Sequence, residues 1–581
     1  MRNIFTFFFA IIFLTASAQQ AGVHLLDKAG GGYHTKDMAP TTFLRDQDGT
    51  YYISQYHVAN IGSGRHYFEL IKYSTDGEII WNWNLYEDNG NDLPYGFWGA
   101  FINDMVADDE GNLYIAGNAG TTEDIKFSSF ELQGIDAHNT KKERSFIACL
   151  SKETGEVSWL VQDTNYQNLS AATDLILDGN MLYVGYFQWR FQELKSSNGN
   201  PVILPEGNIG MMKMKTDGEF LDYVAGEVVM DPESMLVLWD PDPVAMAPGR
   251  RLALSPKIRM DKQKRFTLMT CVTYDFRYDG NSVEAMEDPP GNTRPNMLVG
   301  YITQDLNWEY VHMAFMYDPY GWELTEVRPV FDLDADGNVI QTFYKTGYME
   351  TERLIFEDGS IDTLCGGFLL KYNRSGEILE KHHLKKHTIV TDLLTDGERC
   401  YIFGTYNDSL SIPGCPLQTS YGERDIFLAV VSQDLSEGQI YNFGSPADDY
   451  TSLFQYSDST FYMLGASDHK IKFNDEYLMD ETEAAFIIEL TTKGSSGIWD
   501  PIASQNQLMV SPNPASNLIR VDTEISDFSV VIRDLSGRIV FQARDCDSRW
   551  PINISSLNSG QYVLIVKKDG QLIGTAKFSV L

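Results

Sequence analysis

The chain has 581 residues, and 81 Asp plus Glu against 45 Lys plus Arg give it a formal net charge of −36. A field of that sign repels phosphate backbones and anionic surfaces, which excludes a nucleic-acid binder held by backbone contacts. Six scattered cysteines, Cys149, Cys271, Cys365, Cys400, Cys415 and Cys546, lack CxxC spacing and form neither a zinc site nor a disulfide scaffold.

At the start of the chain, Arg2 precedes an apolar run from Ile4 to Leu14 that is too short to span a bilayer. The run ends at Ala16-Ser17-Ala18, a small-residue cleavage site, so residues 1–18 read as a secretory signal peptide cut after Ala18. No later segment is apolar for long enough to predict a transmembrane helix.

Residues 19–492 are organised by an internal repeat. The clearest copy runs from Asn103-Asp104 through Asp109-Glu110-Gly111-Asn112-Leu113-Tyr114-Ile115-Ala116-Gly117, then Ser145 to Leu150, then Thr154-Gly155-Glu156-Val157-Ser158-Trp159. It offers four short strands and two turns. The first turn recurs at Asp48-Gly49, Asp178-Gly179, Asp336-Gly337 and Asp396-Gly397, and the second at Asp76-Gly77, Asp217-Gly218 and Ser375-Gly376. Two further units depart from the consensus, one with Lys262-Gln263-Lys264 at its first turn and one with Ser457-Asp458. About seven units of four antiparallel strands, with no helical periodicity, predict an all-β, seven-bladed β-propeller, in which radial packing buries each sheet against its neighbours. The seventh unit shows three strands, ending with Ala485 to Leu490, while Val23 to Asp27 is an orphan strand upstream of the first. The orphan is expected to close the ring as the outermost strand of the seventh blade.

Chemical signals within this region are sparse. Asp332-Leu333-Asp334-Ala335-Asp336-Gly337 opens like a calcium loop, but Ile340 and Phe343 stand where later ligands belong, so a hairpin turn explains it without metal. His382 and His383 are adjacent on a strand and point to opposite faces, and with His387 they lie among Lys381, Lys385 and Lys386, which describes a solvated edge. No metal site, catalytic residue or cofactor is assigned, calcium remaining the one cofactor considered. Two insertions interrupt the repeat: Tyr86 to Phe101, with Tyr95, Phe97 and Trp98, and Glu227 to Arg251, rich in Met, Asp and Pro. Tyr95, Phe97 and Trp98 are either a binding surface for sugar rings or a protein partner, or a plug for the ring. Cys365 and Cys415 each precede the third strand of consecutive units, where a disulfide between blades is conceivable. The repeat resembles the broad group of bacterial secreted propellers with "DGNLYI…G" and "DGEI.W" motifs, which implies architecture and not activity.

After a flexible linker, residues 493–507, the region 508–581 differs in charge. It holds 8 basic and 7 acidic residues, a net of +1, which leaves −37 on the residues before it. Ser511-Pro512-Asn513-Pro514 is a turn, because two prolines around an Asn fit neither a helix nor a central strand. Phe528 to Asp534 and Ile539 to Phe541 flank Gly537 as a hairpin, and Gly560-Gln561-Tyr562 opens another strand that returns through Lys577. About seven short strands predict a small, immunoglobulin-like β-sandwich.

The ordered motifs "SPNPASN", "RDLSGRIV", "INISSLNSGQYVLIV" and "AKFSVL" resemble the type A C-terminal sorting domain of the type IX secretion system, carried here by Pro512, Asn513, Pro514, Asp534, Gly537, Gly560, Tyr562 and Lys577. The resemblance covers residues 508–581 and implies the secretion machinery of Bacteroidetes as a partner. It also implies crossing of the outer membrane and a secreted or surface-attached product. For the region before the tail, the expectation is a non-enzymatic module that binds protein or glycan. The alternative is a carbohydrate-active lyase or hydrolase, which converging carboxylates with a Tyr, His or Arg would favour.

Overall fold

The computed structural model describes residues 20–580 apart from connecting stretches, the longest being 26–37, 85–99, 133–143, 230–255 and 492–508. Every regular element among the described residues is a strand. The chain divides into two compact units, Ala21–Leu490 and one that takes in Thr491–Leu581. The signal segment with Ala18, the linker, Tyr95, Phe97 and Trp98 all lie outside the described residues, as does most of the second insertion.

In the larger unit, seven antiparallel sheets of four to six strands succeed one another among the described residues. Their first strands are Met38–Arg45, Ala100–Ala107, Ser170–Asp178, Lys257–Met260, Val327–Leu333, Ile389–Thr395 and Asp449–Ser457, and define sheets I to VII. The first-turn signals of the sequence fall where these strands end. Asp108 Oδ1 accepts the amides of Glu110 and Asn112 at 2.9 and 2.8 Å, and Asp334 Oδ1 does the same for Asp336 and Asn338. The turn then needs a left-handed residue, which Gly337 supplies at φ 80° without steric cost. In sheet IV Lys264 holds that position at φ 62°, which is why its turn lacks the consensus glycine.

Neighbouring first strands touch in chain order, and contact between Met38–Arg45 and Asp449–Ser457 returns the series to its beginning. Gln455 Nε2 donates to Arg45 O across that last junction at 3.1 Å. Sheet VII is completed by Gln20–Leu25, hydrogen-bonded beside Ala484–Thr491 as its outermost strand. The upstream segment therefore takes the expected place, beginning three residues earlier than the apolar pattern indicates.

Four sheets are wider than the sequence predicts. The hairpin Gln192–Ser196 and Val202–Leu204 lies between the second and third strands of sheet III, yet pairs onto Val157–Asp163 of sheet II. Equivalent hairpins extend sheet III with Phe276–Tyr278, sheet IV with Glu352–Ile355 and sheet VI with Lys472–Phe473. Each covers a backbone edge that would otherwise be open.

Buried side chains fill the space between successive sheets. Tyr114, Ile147 and Cys149 of sheet II meet Leu175, Val184 and Met212 of sheet III in one such cluster. Cys149, Cys271 and Cys400 are buried free thiols, as their apolar strands suggest, and burial raises the pKa of each. Cys415 is also a free thiol, so the disulfide considered for it is not formed; Cys365 lies outside the described residues.

The C-terminal unit has a three-stranded sheet, Met509–Ser511, Leu518–Asp522 and Ile552–Asn553, and a four-stranded sheet, Ser526–Asp534, Ile539–Asp547, Gly560–Lys568 and Gln571–Val580. A single apolar cluster draws Ile519 and Val521 from the first and Val530, Leu564 and Phe578 from the second.

Candidate functional site

The sheets of the larger unit bring charged side chains together along their first strands. In sheets II, III and VI the ladder slips by one residue, between Ile102 and Asp104, Ala172 and Asp174, and Val390 and Asp392. A bulge of this kind re-aims the side chains around it. Its backbone also occupies space on the partner strand: a Cβ at Gly117 would lie 2.0 Å from Phe101 O, and one at Gly404 the same distance from Ile389 O. This is the physical reason for glycine at those two positions of the second strands.

In sheets II and III the two bulge residues clasp the following sheet, whereas in sheet VI Thr391 donates to Phe403 O and Asp392 accepts the Leu393 amide, both within the sheet. Asn103 Nδ2 donates to Ala172 O at 2.8 Å while Asp104 Oδ2 accepts the Leu175 amide at 2.7 Å. One sheet further on, Thr173 Oγ1 donates to Pro256 O at 2.6 Å and Asp174 Oδ2 accepts the Ile258 amide at 2.7 Å. Asp332 of sheet V accepts the Thr395 amide of sheet VI, also at 2.6 Å. Sheet IV contributes the cations: Lys257 Nζ is 2.9 Å from Asp174 Oδ1, and Arg259 lies 3.1 Å from Asp174 Oδ2 and 3.7 Å from Asp332 Oδ1.

Asp104, Asp174, Asp332 and Asp392, the last through the field of Arg259, thus share a belt with two cations that are each about a third exposed. Burial, reinforced by Asp174, pushes the Asp104 pKa far above the carboxylate range. Burial likewise raises Asp332 against the pull of Arg259, and lifts Asp392 to about 6. Burial is the largest single influence on Lys257 and Arg259 and works against their charges, but the surrounding carboxylates, Asp174 foremost, together outweigh it and raise both. Groups titrating near neutrality are chemically capable of proton transfer. Asp104, Asp174 and Asp332, however, each commit at least one oxygen to the amides or cations of the next sheet.

Asp392 gives this electrostatics a measurable sign. The folded unit holds its proton more tightly than an unfolded chain titrating near 3.8, so its contribution to stability falls as pH rises from about 4 towards 7. Asp392→Asn is expected to melt at a higher temperature than the native chain at pH 8 and at the same temperature near pH 4. Thermal scans at the two pH values check this.

None of the belt was singled out by its sequence, apart from Asp332 as a calcium candidate. The signal was present: Asp104, Asp174 and Asp392 each stand four residues before the turn aspartate of their own unit, after Asn or Thr and before Met or Leu. At the calcium candidate itself, Asp334 Oδ2 is met by Asn338 Nδ2 at 2.9 Å and Lys371 Nζ at 3.1 Å. No three His, Cys, Asp or Glu side chains able to hold a metal converge among the described residues. His382 and His383 sit on Ile378–His383, the edge strand of sheet V, within 3.2 Å of Glu380 and 3.6 Å of Asp362 respectively.

In the C-terminal unit the motif residues converge on the last strand. Asn513 Oδ1 accepts the Ser579 amide at 2.9 Å, between Pro512 and Pro514, and Ala515 N donates to Ser579 O at 2.7 Å. The Tyr562 ring is buried and its hydroxyl donates to Asn558 O at 2.7 Å, two residues beyond the exposed Gly560. Asp534 pairs with Tyr562 in the ladder and Lys577 with Val563; Gly537 falls in the undescribed hairpin turn. The "SPNP" motif is thus a clamp on the chain's final strand. Asn513→Ala is expected to cost the C-terminal unit about 1 kcal/mol, the usual worth of one such hydrogen bond, measurable by denaturant unfolding.

Residues 509–580 match the family described as the secretion system C-terminal sorting domain. The C-terminal segment is therefore the sorting domain of the type IX secretion system, and the chain carries the mark of secreted or cell-surface cargo. No curated protein matches the chain. Among solved structures, a polysaccharide lyase described as an ulvan lyase is 12% identical over 81% of this chain and 94% of its own, with a TM-score of 0.36. The endosialidase of phage phi92 is 10% identical over 97% and 87%, also at 0.36. PorZ, a surface component of the type IX system of Porphyromonas gingivalis, is 11% identical over 94% and 93%, at 0.16. Similarity this low carries no argument about activity. No described helix is long and apolar enough to cross a membrane.

Proposed function

We propose that the larger unit is a seven-bladed β-propeller carried as cargo by a sandwich-like sorting domain, and that it works outside the cell as a non-enzymatic module binding protein or glycan. The cyclic series of seven sheets supports the architecture. The two tail sheets around one core, with the Tyr562 hydroxyl tied to a nearby carbonyl, support the sandwich.

The observation that carries the choice of binding over catalysis is the state of the belt. Asp104, Asp174 and Asp332 spend oxygens on the amides of the next sheet, so they act as fasteners of the ring. A general acid or base needs an oxygen free to meet substrate. Loops outside this frame, among them the one bearing Tyr95, Phe97 and Trp98, are then the binding elements, because rigid scaffolds present ligands through their connections.

One observation favours the second reading, a carbohydrate lyase or hydrolase: Asp392, held near neutrality in its titration, lies within the field of Arg259. Incubating the secreted chain with arrays of polysaccharides and peptides separates the two. Stable retention of a ligand without product is expected; turnover of a polysaccharide that is lost in Asp392→Asn would overthrow the binding reading.

A further inference from the structure

We propose that sheet VI binds one calcium ion at Asp425, between its long hairpin and its fourth strand. Asp425 lies on Gln418–Ser432, fully buried, and stands opposite Tyr406 of Arg399–Leu410 in the ladder. Its Oδ2 accepts the Tyr421 amide at 2.6 Å and Asn442 Nδ2 at 3.0 Å. Its Oδ1 accepts nothing, and neither Asn442 Oδ1 nor the Tyr406 hydroxyl has a partner. Asn442 is 5% exposed and Tyr406 0%.

Buried oxygens of this kind are almost always satisfied, and a group of them left open around a carboxylate calls for a water or an ion. Charge decides between the two. The donors that meet the Asp425 carboxylate, the Tyr421 amide and the Asn442 side-chain amide, are both neutral, and the residue is fully buried. A water would add a third neutral partner and leave a carboxylate charge buried and uncompensated, which is costly. A cation removes the cost and uses the open oxygens.

The backbone makes room for this carboxylate. A Cβ at Gly444 would lie 2.2 Å from Asp425 Oδ1 and 2.3 Å from its Cγ, so the carboxyl group occupies the space of a missing side chain. At Gly422, on the same strand as Asp425, a Cβ would meet Ser445 O at 2.2 Å, so the segment that follows Gly438–Gly444 packs directly on this strand. An all-oxygen set of one carboxylate, one amide carbonyl and one hydroxyl suits calcium, whose coordination is flexible; magnesium demands a near-ideal octahedron. The site is distinct from the Asp332 to Gly337 turn, whose carboxylates already have protein donors.

The test uses the full chain after treatment with a chelator. Calorimetric titration is expected to show one calcium bound at Asp425, with a dissociation constant on the order of 10⁻⁴ to 10⁻³ M, the range of extracellular modules. Terbium added in its place should give tyrosine-sensitised emission that calcium displaces. Asp425→Asn should lose the binding while melting in chelator no lower than the native chain, and Tyr406→Phe should bind several-fold more weakly. The absence of saturable calcium binding by the native chain overturns the proposal, as does native stoichiometry and affinity in Asp425→Asn.

Discussion

Removing Leu508 to Leu581 is expected to abolish appearance of the protein outside the cell, with the truncated chain accumulating in the periplasm as a folded unit. The sorting domain is matched over residues 509–580, and Ala21–Leu490 is a compact unit by itself, so the truncation removes the address without removing the cargo's core. Fractionation with antibody detection, alongside limited proteolysis of the retained chain, measures both halves of the expectation. Continued export of the truncated chain would refute the sorting role. A point change that only loosens the tail, such as Asn513→Ala, should reduce export in proportion to the unfolded fraction of the tail.

The second large effect belongs to Asp174. This single carboxylate accepts the Ile258 amide and faces both Lys257 and Arg259, and its side chain is 4% exposed. Asp174→Ala leaves a buried amide unpaired and two cations, each about a third exposed, without their partner, a change that costs about 1–3 kcal/mol. By contrast Asp178→Ala, four residues on, removes a carboxylate whose partner Lys264 is substantially solvated, and should cost less than about 1 kcal/mol. Chemical denaturation of the two variants side by side reads the difference. Similar losses in both would show that the belt is not what fastens sheet III to sheet IV.

How much of this was legible beforehand depended on whether a feature is local. Asp-Gly turns such as Asp336-Gly337 announce themselves, because the strand-ending carboxylate and the left-handed glycine lie within a few residues. So do Pro512, Asn513 and Pro514, whose combination fits only a turn. The closing strand was visible as a missing fourth strand at one end and a surplus strand at the other. What escaped were features made by pairing between units. The hairpin at Gln192–Ser196 reads as a loop of its own repeat, yet its partner is Val157–Asp163 of the preceding one. The Asp425 site was invisible because Tyr406, Asp425 and Asn442 are set side by side only by ladder register, and each is unremarkable in its own strand. Asp104 and Asp174 were hidden for a different reason: they sit among apolar residues in strands where alternation counts them as outward-facing, and only the bulge turns them towards the next sheet.

The strand Gln20–Leu25 leaves the ribosome before any other part of the ring, while its neighbour Ala484–Thr491 leaves after all the rest of that unit. The last seam therefore cannot form during synthesis, whatever sheets I to VI do meanwhile. Seams of such long sequence separation are slow to make because a large loop must close before any contact rewards it. Until then sheet VII keeps a bare edge along Ala484–Thr491, open to mispairing with the strand edge of another chain.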